Sequence, residues 1–338
     1  MRTSKRSPMV RRVLAVGAAL AAAAAGAVVA TPAHAATAMT GIGGSSVDPN
    51  DSGGTCSSSG GTEDQTTFSS NGQSRTTTAS DDGTITNSGD MTDNTTWAAT
   101  SKTTFKSSQT ATTSTLSMTA SLKASVDADL GSSSACDPEA EADAGAEVLL
   151  KVSRPSWLLV KASIPASAAF GFGLMPATDF STPVQTEQYD QSSYTGKIWV
   201  EPGTYAIMLQ ALGQADVDPA SPYRTSMSGT VKATASVVPA GMAKGAAAGP
   251  GRAYVSLPSA VGCLNGTIAV PFTGKASKAS SATFYVNGRK KVTVKNPQPG
   301  VAALLTRIPS GSDTTVKVVV QPDRGKPAAA TRSYLACS

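Results

Sequence analysis

The chain has 338 residues, with 28 Lys and Arg, 23 Asp and Glu, 4 Cys and a single His. Five of the basic residues and the histidine lie in residues 1–35, so residues 36–338 are balanced in charge and carry no imidazole. That excludes Ser-His-Asp and Cys-His triads and histidine-ligated metals from residues 36–338. No G-x-S-x-G, S-x-x-K, G-x-x-x-x-G-K-[ST] or post-strand G-x-G-x-x-G occurs either, which removes the common nucleophilic and nucleotide-binding devices.

Residues 1–35 read as an export signal. Arg2, Lys5, Arg6, Arg11 and Arg12 form a basic start, and residues 13–30 are uncharged and almost wholly Ala, Val, Leu and Gly. Ala33 and Ala35 are the small residues a signal peptidase takes, which places cleavage between Ala35 and Ala36. An uncleaved membrane anchor would have to rest on this Ala-dominated, weakly hydrophobic run. No second apolar stretch has membrane-spanning length. The expectation is a secreted protein, extracellular or held at the cell wall.

An even set of cysteines in an exported chain reads as disulfides. Cys56, Cys136, Cys263 and Cys337 allow three pairings. Cys56–Cys136 with Cys263–Cys337 keeps each bridge within one domain. The absence of any C-x2-C pair argues against a zinc centre.

Residues 36–95 are rich in Ser, Thr, Gly, Asn and Asp and poor in aliphatic side chains. Such a segment buries too little apolar surface to offset its chain entropy, so partial order is expected, with a polar hairpin at Asn71-Gly72. Residues 96–238 alternate instead. Leu116, Met118, Ala120, Leu122, Ala124 and Val126 fall on one face of a strand, with Ser, Thr, Lys and Asp on the other. Residues 138–152 repeat the pattern with Glu139, Glu141 and Asp143 outward. Strand patterns continue through residues 157–164, 197–200, 205–212 and 230–238, and no 3.6-residue period appears outside the signal. This predicts an all-β fold of two antiparallel β-sandwich domains, the first jelly-roll-like. Residues 239–251, PAGMAKGAAAGPG, are small and bounded by Pro, and read as a linker.

Residues 252–338 form the second β domain. Phe284-Tyr285-Val286-Asn287-Gly288-Arg289-Lys290, then Ile308-Pro309-Ser310-Gly311 and the run 315–320, resemble bacterial immunoglobulin-like repeat domains. The resemblance implies an Ig-like sandwich acting as a spacer or adhesion module without catalysis. A plain two-residue turn at Asn287-Gly288 would put Phe284 and Val292 on opposite faces. One inserted residue brings Phe284, Val292 and Val294 to a common core face and turns Arg289, Lys291, Thr293 and Lys295 outward.

Candidate chemistry is sparse. The acids Asp127, Asp129, Asp137, Glu139, Glu141, Asp143 and Glu147 offer oxygen ligands that would suit calcium, against the simpler reading of solvated strand faces. No other cofactor or metal is implied. Trp97, Trp157, Trp199 and Tyr205 are a sugar platform or, more simply, core packing. Tyr189 and Tyr194 sit in a polar loop and read as exposed. A carboxylate pair beside these aromatics would make the chain a glycan-active enzyme or a carbohydrate-binding accessory module.

The charge layout is more informative. Residues 36–240 hold 21 acidic and 10 basic side chains, whereas residues 251–338 hold 2 acidic and 12 basic. Lys275, Lys278, Arg289, Lys290, Lys291 and Lys295 gather around one hairpin, as expected of a site for an anionic polymer or acidic glycan. The expected function is non-enzymatic surface binding or adhesion. Mass spectrometry of the exported protein should find Ala36 as its first residue; an intact Met1 would refute the signal.

Overall fold

The computed structural model describes residues 36–51, 56–87, 90–110, 113–128, 138–177, 185–189, 192–216 and 224–338. The export signal with Ala35, and Cys136, Asp129 and Asp137, lie outside these. The chain divides into two units, Met1–Val238 and Pro239–Ser338. The strand pairings given by register in both are antiparallel.

The strands of the first unit are β1 (Ala36–Asp51), β2 (Cys56–Ser58), β3 (Thr62–Ser69), β4 (Asn71–Asn87), β5 (Asp90–Gln109), β6 (Ser114–Asp127) and β7 (Pro138–Val152), then β8 (Ser156–Ser163), β9 (Ala168–Pro176), β10 (Gln185–Tyr189), β11 (Ser193–Val200), β12 (Gly203–Asp216) and β13 (Arg224–Pro239). They form two sheets, sheet I in the order β10-β9-β12-β7-β1-β3 and sheet II in the order β11-β8-β13-β6-β5-β4-β2. Taken alone, β6 to β13 wind as a jelly roll. β7-β12-β9-β10 lie in one sheet and β6-β13-β8-β11 in the other, and every connection except β9–β10 crosses between sheets. The inward residues of β6, from Leu116 to Val126, share one core with Phe170, Phe172, Leu174 and Leu209 of the facing sheet.

The expectation of partial order over residues 36–95 is corrected: β1, β3, β4 and the start of β5 widen both sheets of the jelly roll. Aliphatic content misleads here because the core is built from aromatic rings set against glycine. Inward-facing Gly41 and Gly43 of β1 lie against the Phe68 and Phe105 rings, where a Cβ would collide. Those rings stack with centroids 5.5 Å apart. Buried hydroxyls pair with one another rather than remaining unsatisfied: Ser45 Oγ lies 2.9 Å from Thr77 Oγ1 and 3.0 Å from Thr103 Oγ1.

In the second unit, β14 (Ile268–Pro271) pairs with β17 (Ala302–Leu305), and a four-stranded sheet runs β16 (Arg289–Lys295), β15 (Ala279–Val286), β18 (Thr314–Pro322), β19 (Ala328–Tyr334). Phe272, Phe284, Val318, Leu305 and Tyr334 lie in its core. Tyr334 is fully buried and donates its hydroxyl to Pro258 O at 3.0 Å. Burial pushes its phenol up to about 12.

Residues 239–251 are not a linker. They form a strap bonded into the second unit: Gly241 N donates to Ala336 O (3.2 Å), Lys244 N to Ser333 O (2.8 Å) and Ala248 N to Thr331 O (2.9 Å). The run is small because it lies close to β19, not because it is flexible. At Gly251 an added Cβ would meet the backbone of Ala329 and Ala330.

Cys263 and Cys337 form a disulfide with Cα atoms 5.4 Å apart, the pairing expected for this domain. Cys56 is disulfide-bonded. The Cys263–Cys337 bridge spans 74 residues. In the chain-entropy account, replacing both cysteines by Ala should cost about 4 kcal/mol, read as a lowered unfolding midpoint of the second unit in denaturant. An unchanged midpoint would refute it.

Candidate functional site

The β15–β16 hairpin turns through Asn287 and Gly288, whose φ values of 50° and 78° suit a type I′ turn. Val286 pairs with Arg289 and Tyr285 with Lys290. The register then slips by one residue, so that Phe284 pairs with Val292 and Ala282 with Val294. The inserted residue is therefore present, and Phe284, Val292 and Val294 share the core side as the sequence requires.

The slip corrects the expected row of Arg289, Lys291 and Lys295. Directly paired residues share a face. Arg289 pairs with buried Val286, so it lies on the core side, exposed only because it is at the hairpin tip. Lys291 is the extra residue of the bulge, and its ammonium donates to Arg307 O at 3.3 Å. The outward row is instead Lys290 beside Tyr285, and Tyr285 beside Lys317 of β18. Lys317 went unremarked in the sequence, although strand alternation through residues 315–320 places it outward.

All six expected cations are exposed. Lys275 and Lys278 lie on a short 3-10 helix, Gly274–Lys278, leading into β15. They stand at the end of the hairpin where Ser281 pairs with Lys295, while Arg289, Lys290 and Lys291 occupy the turn. The site is thus two clusters separated by the length of β16, on the order of 17 Å. Lys275 Nζ sits 5.0 Å from the centre of the Tyr254 ring, a cation–π contact that orients one ammonium.

In the first unit, register puts Glu139, Glu141, Asp143 and Glu147 of β7 together on the outer face of sheet I. Among the described residues no group of three His, Cys, Asp or Glu side chains is placed to hold a metal ion. Glu141 accepts a hydrogen bond from Gln214 Nε2 at 2.9 Å. Glu147, paired with Ile42 and Met208, is only 4% exposed, and its Oε1 finds no hydrogen-bond partner among the described residues. Burial raises its carboxyl above the ordinary value of 4.5.

The aromatics divide. Trp97 is 2% exposed and donates Nε1–H to Ser59 O at 2.9 Å, so it belongs to the core. Trp157 and Trp199 do not: they are a half-buried cross-strand pair on the outer face of sheet II, edge to face with centroids 4.9 Å apart. Lys197 Nζ lies 3.9 Å above the Trp157 ring, and Trp199 Nε1 donates to Glu201 Oε1 at 2.7 Å. Tyr205 packs partly against the core and donates its hydroxyl to Glu201 O at 3.1 Å. Tyr194 is not a loop residue: β11 carries it onto Phe172, with ring centroids 5.5 Å apart. The side chain of Tyr189 lies outside the description. The β7 acids and the tryptophan pair therefore stand on opposite outer faces of the sandwich, while Glu201 is the carboxylate bonded to Trp199.

No family model matches the chain. No curated protein matches it. The distantly similar solved structures include the following two. One is the adhesin domain of Epf from Streptococcus pyogenes, 11% identical, over 78% of this chain and 92% of that one, with a TM-score of 0.18. The other is a two-domain fibronectin type III segment of chicken tenascin, 13% identical, over 55% and 90%, with a TM-score of 0.17. Among the described residues no helix is long and apolar enough to cross a membrane.

Because Glu147 is favoured neutral when folded, its stabilisation is complete below its unfolded value and is lost as pH rises through its elevated folded value. Glu147→Gln should therefore raise the thermal midpoint at pH 7, and the gain should vanish below pH 4.5. A gain independent of pH would contradict a buried carboxylate.

Proposed function

We propose that the chain is a secreted, non-enzymatic surface-binding protein whose basic second unit contacts an anionic extracellular or envelope polymer. The observation that carries this reading is the exposed cation set Lys275, Lys278, Arg289, Lys290, Lys291 and Lys295 in a region with only two acids, Asp313 and Asp323. Asp313 is already engaged, as it pairs with Lys244 and accepts from Ala336 N at 2.9 Å. Among the described residues none of the six cations forms an ion pair.

Single exposed charge contacts are weak, so binding through this surface requires many at once and falls steeply with salt as counterions are displaced. The two-cluster layout suits a polymer long enough to bridge the hairpin. The lack of imidazole and thiolate nucleophiles supports the absence of catalysis in this reading.

The test is salt-gradient elution of the full chain from immobilised teichoic acid. Wild type should elute at higher salt than the combined variant Arg289→Ser, Lys290→Ser, Lys295→Ser, with a shallower salt dependence for the variant and unchanged thermal unfolding. Identical elution would reduce the basic surface to a solvated face.

A further inference from the structure

We infer that the outer face of sheet II in the first unit is a second binding surface, one that takes an acidic polysaccharide laid flat along the strands. It is separate from the basic hairpin and does not depend on it.

Cross-strand register defines the surface. Across β4, β5, β6 and β13, consecutive outward rows read Thr76–Thr104–Thr119–Lys232 and Thr78–Lys102–Ser121–Thr230. The rows on either side carry Lys106 and Lys123, each among Ser and Thr only. Every row thus has one lysine, no acid and no apolar side chain. The four lysines are exposed, and none forms an ion pair among the described residues. Successive rows lie two residues apart along the strand, about 7 Å, so ammonium groups recur along the face.

Protection of sheet edges does not explain these lysines. Charges that block edge-to-edge pairing belong on edge strands. Lys102, Lys106, Lys123 and Lys232 lie on β5, β6 and β13, inside the sheet, whereas β4, outermost at these rows because β2 pairs only with residues 85–87, contributes only Ser and Thr to them.

Three features select the occupant. Hydroxyls outnumber ammonium groups in every row, and hydroxyls both donate and accept, as sugar hydroxyls require. They are held in place by one another: Thr76 Oγ1 lies 3.0 Å from Thr104 Oγ1, and Ser80 Oγ lies 3.0 Å from Thr100 Oγ1. The same face continues through β8 and β11 to the half-buried Trp157–Trp199 pair, where Lys197 sets a further ammonium over the Trp157 ring. A chain of uronate sugars, each with one carboxylate and free hydroxyls, matches this surface. A polyphosphate would use the lysines and leave the rest unmatched.

The test is titration of the full chain with sodium polygalacturonate, followed by calorimetry. The combined variant Lys102→Thr, Lys106→Thr, Lys123→Thr, Lys232→Thr should bind at least tenfold more weakly than wild type, while the Arg289, Lys290, Lys295 variant should keep this binding. On wild-type protein, reductive methylation should find the four lysines protected by polygalacturonate, a readout that needs no substitution. Equal affinity of the folded lysine variant and wild type would overturn the assignment. So would unprotected lysines, or inorganic polyphosphate displacing polygalacturonate at equal charge concentration.

Discussion

Burial of every second side chain of β6 against the facing sheet sets the parity on which the first unit depends. Leu116, Met118, Leu122 and Val126 face inward. Hydrogen-bonded neighbours in a sheet share faces residue by residue, so this choice passes through the register to β5 and β13, and from β5 to β4. A slip of one residue in β6 would turn Lys123 inward and Leu122 outward. The outer faces are thus the complement of the core rather than independent designs.

One consequence is electrical. Glu139, Glu141, Asp143 and Glu147 share the outer face of one sheet, while Lys102, Lys106, Lys123 and Lys232 share that of the other. The first unit, acidic as a whole, therefore presents a lysine-bearing surface that its net charge conceals. The packed layers between the two faces separate the β7 acids from Trp157.

A second consequence concerns small residues. Gly41 and Gly43 admit aromatic rings, and Gly251 admits the backbone of β19. In both places a composition suited to a flexible tether serves close packing. Side-chain volume taken from β1 is returned by Phe68 on the paired strand β3 and by Phe105 on β5 of the facing sheet, which no count of aliphatic residues registers.

Alternation of residue types along β6 and β7 and the misfit between Phe284 and Val292 determined the all-β class and the bulge beforehand, because each is a short-range rule of the pleat, whereas the even cysteine set implied disulfides and left three pairings open. The order of strands within the sheets, the ordering of residues 36–95 and the docking of the strap 239–251 were decided by tertiary structure, since they rest on contacts far apart in the chain. The same holds for function. Clustered cations at one hairpin are adjacent in sequence and visible there. Lys102, Lys123 and Lys232 come from three strands, and only the register that follows from burying Leu116 to Val126 aligns them on one face.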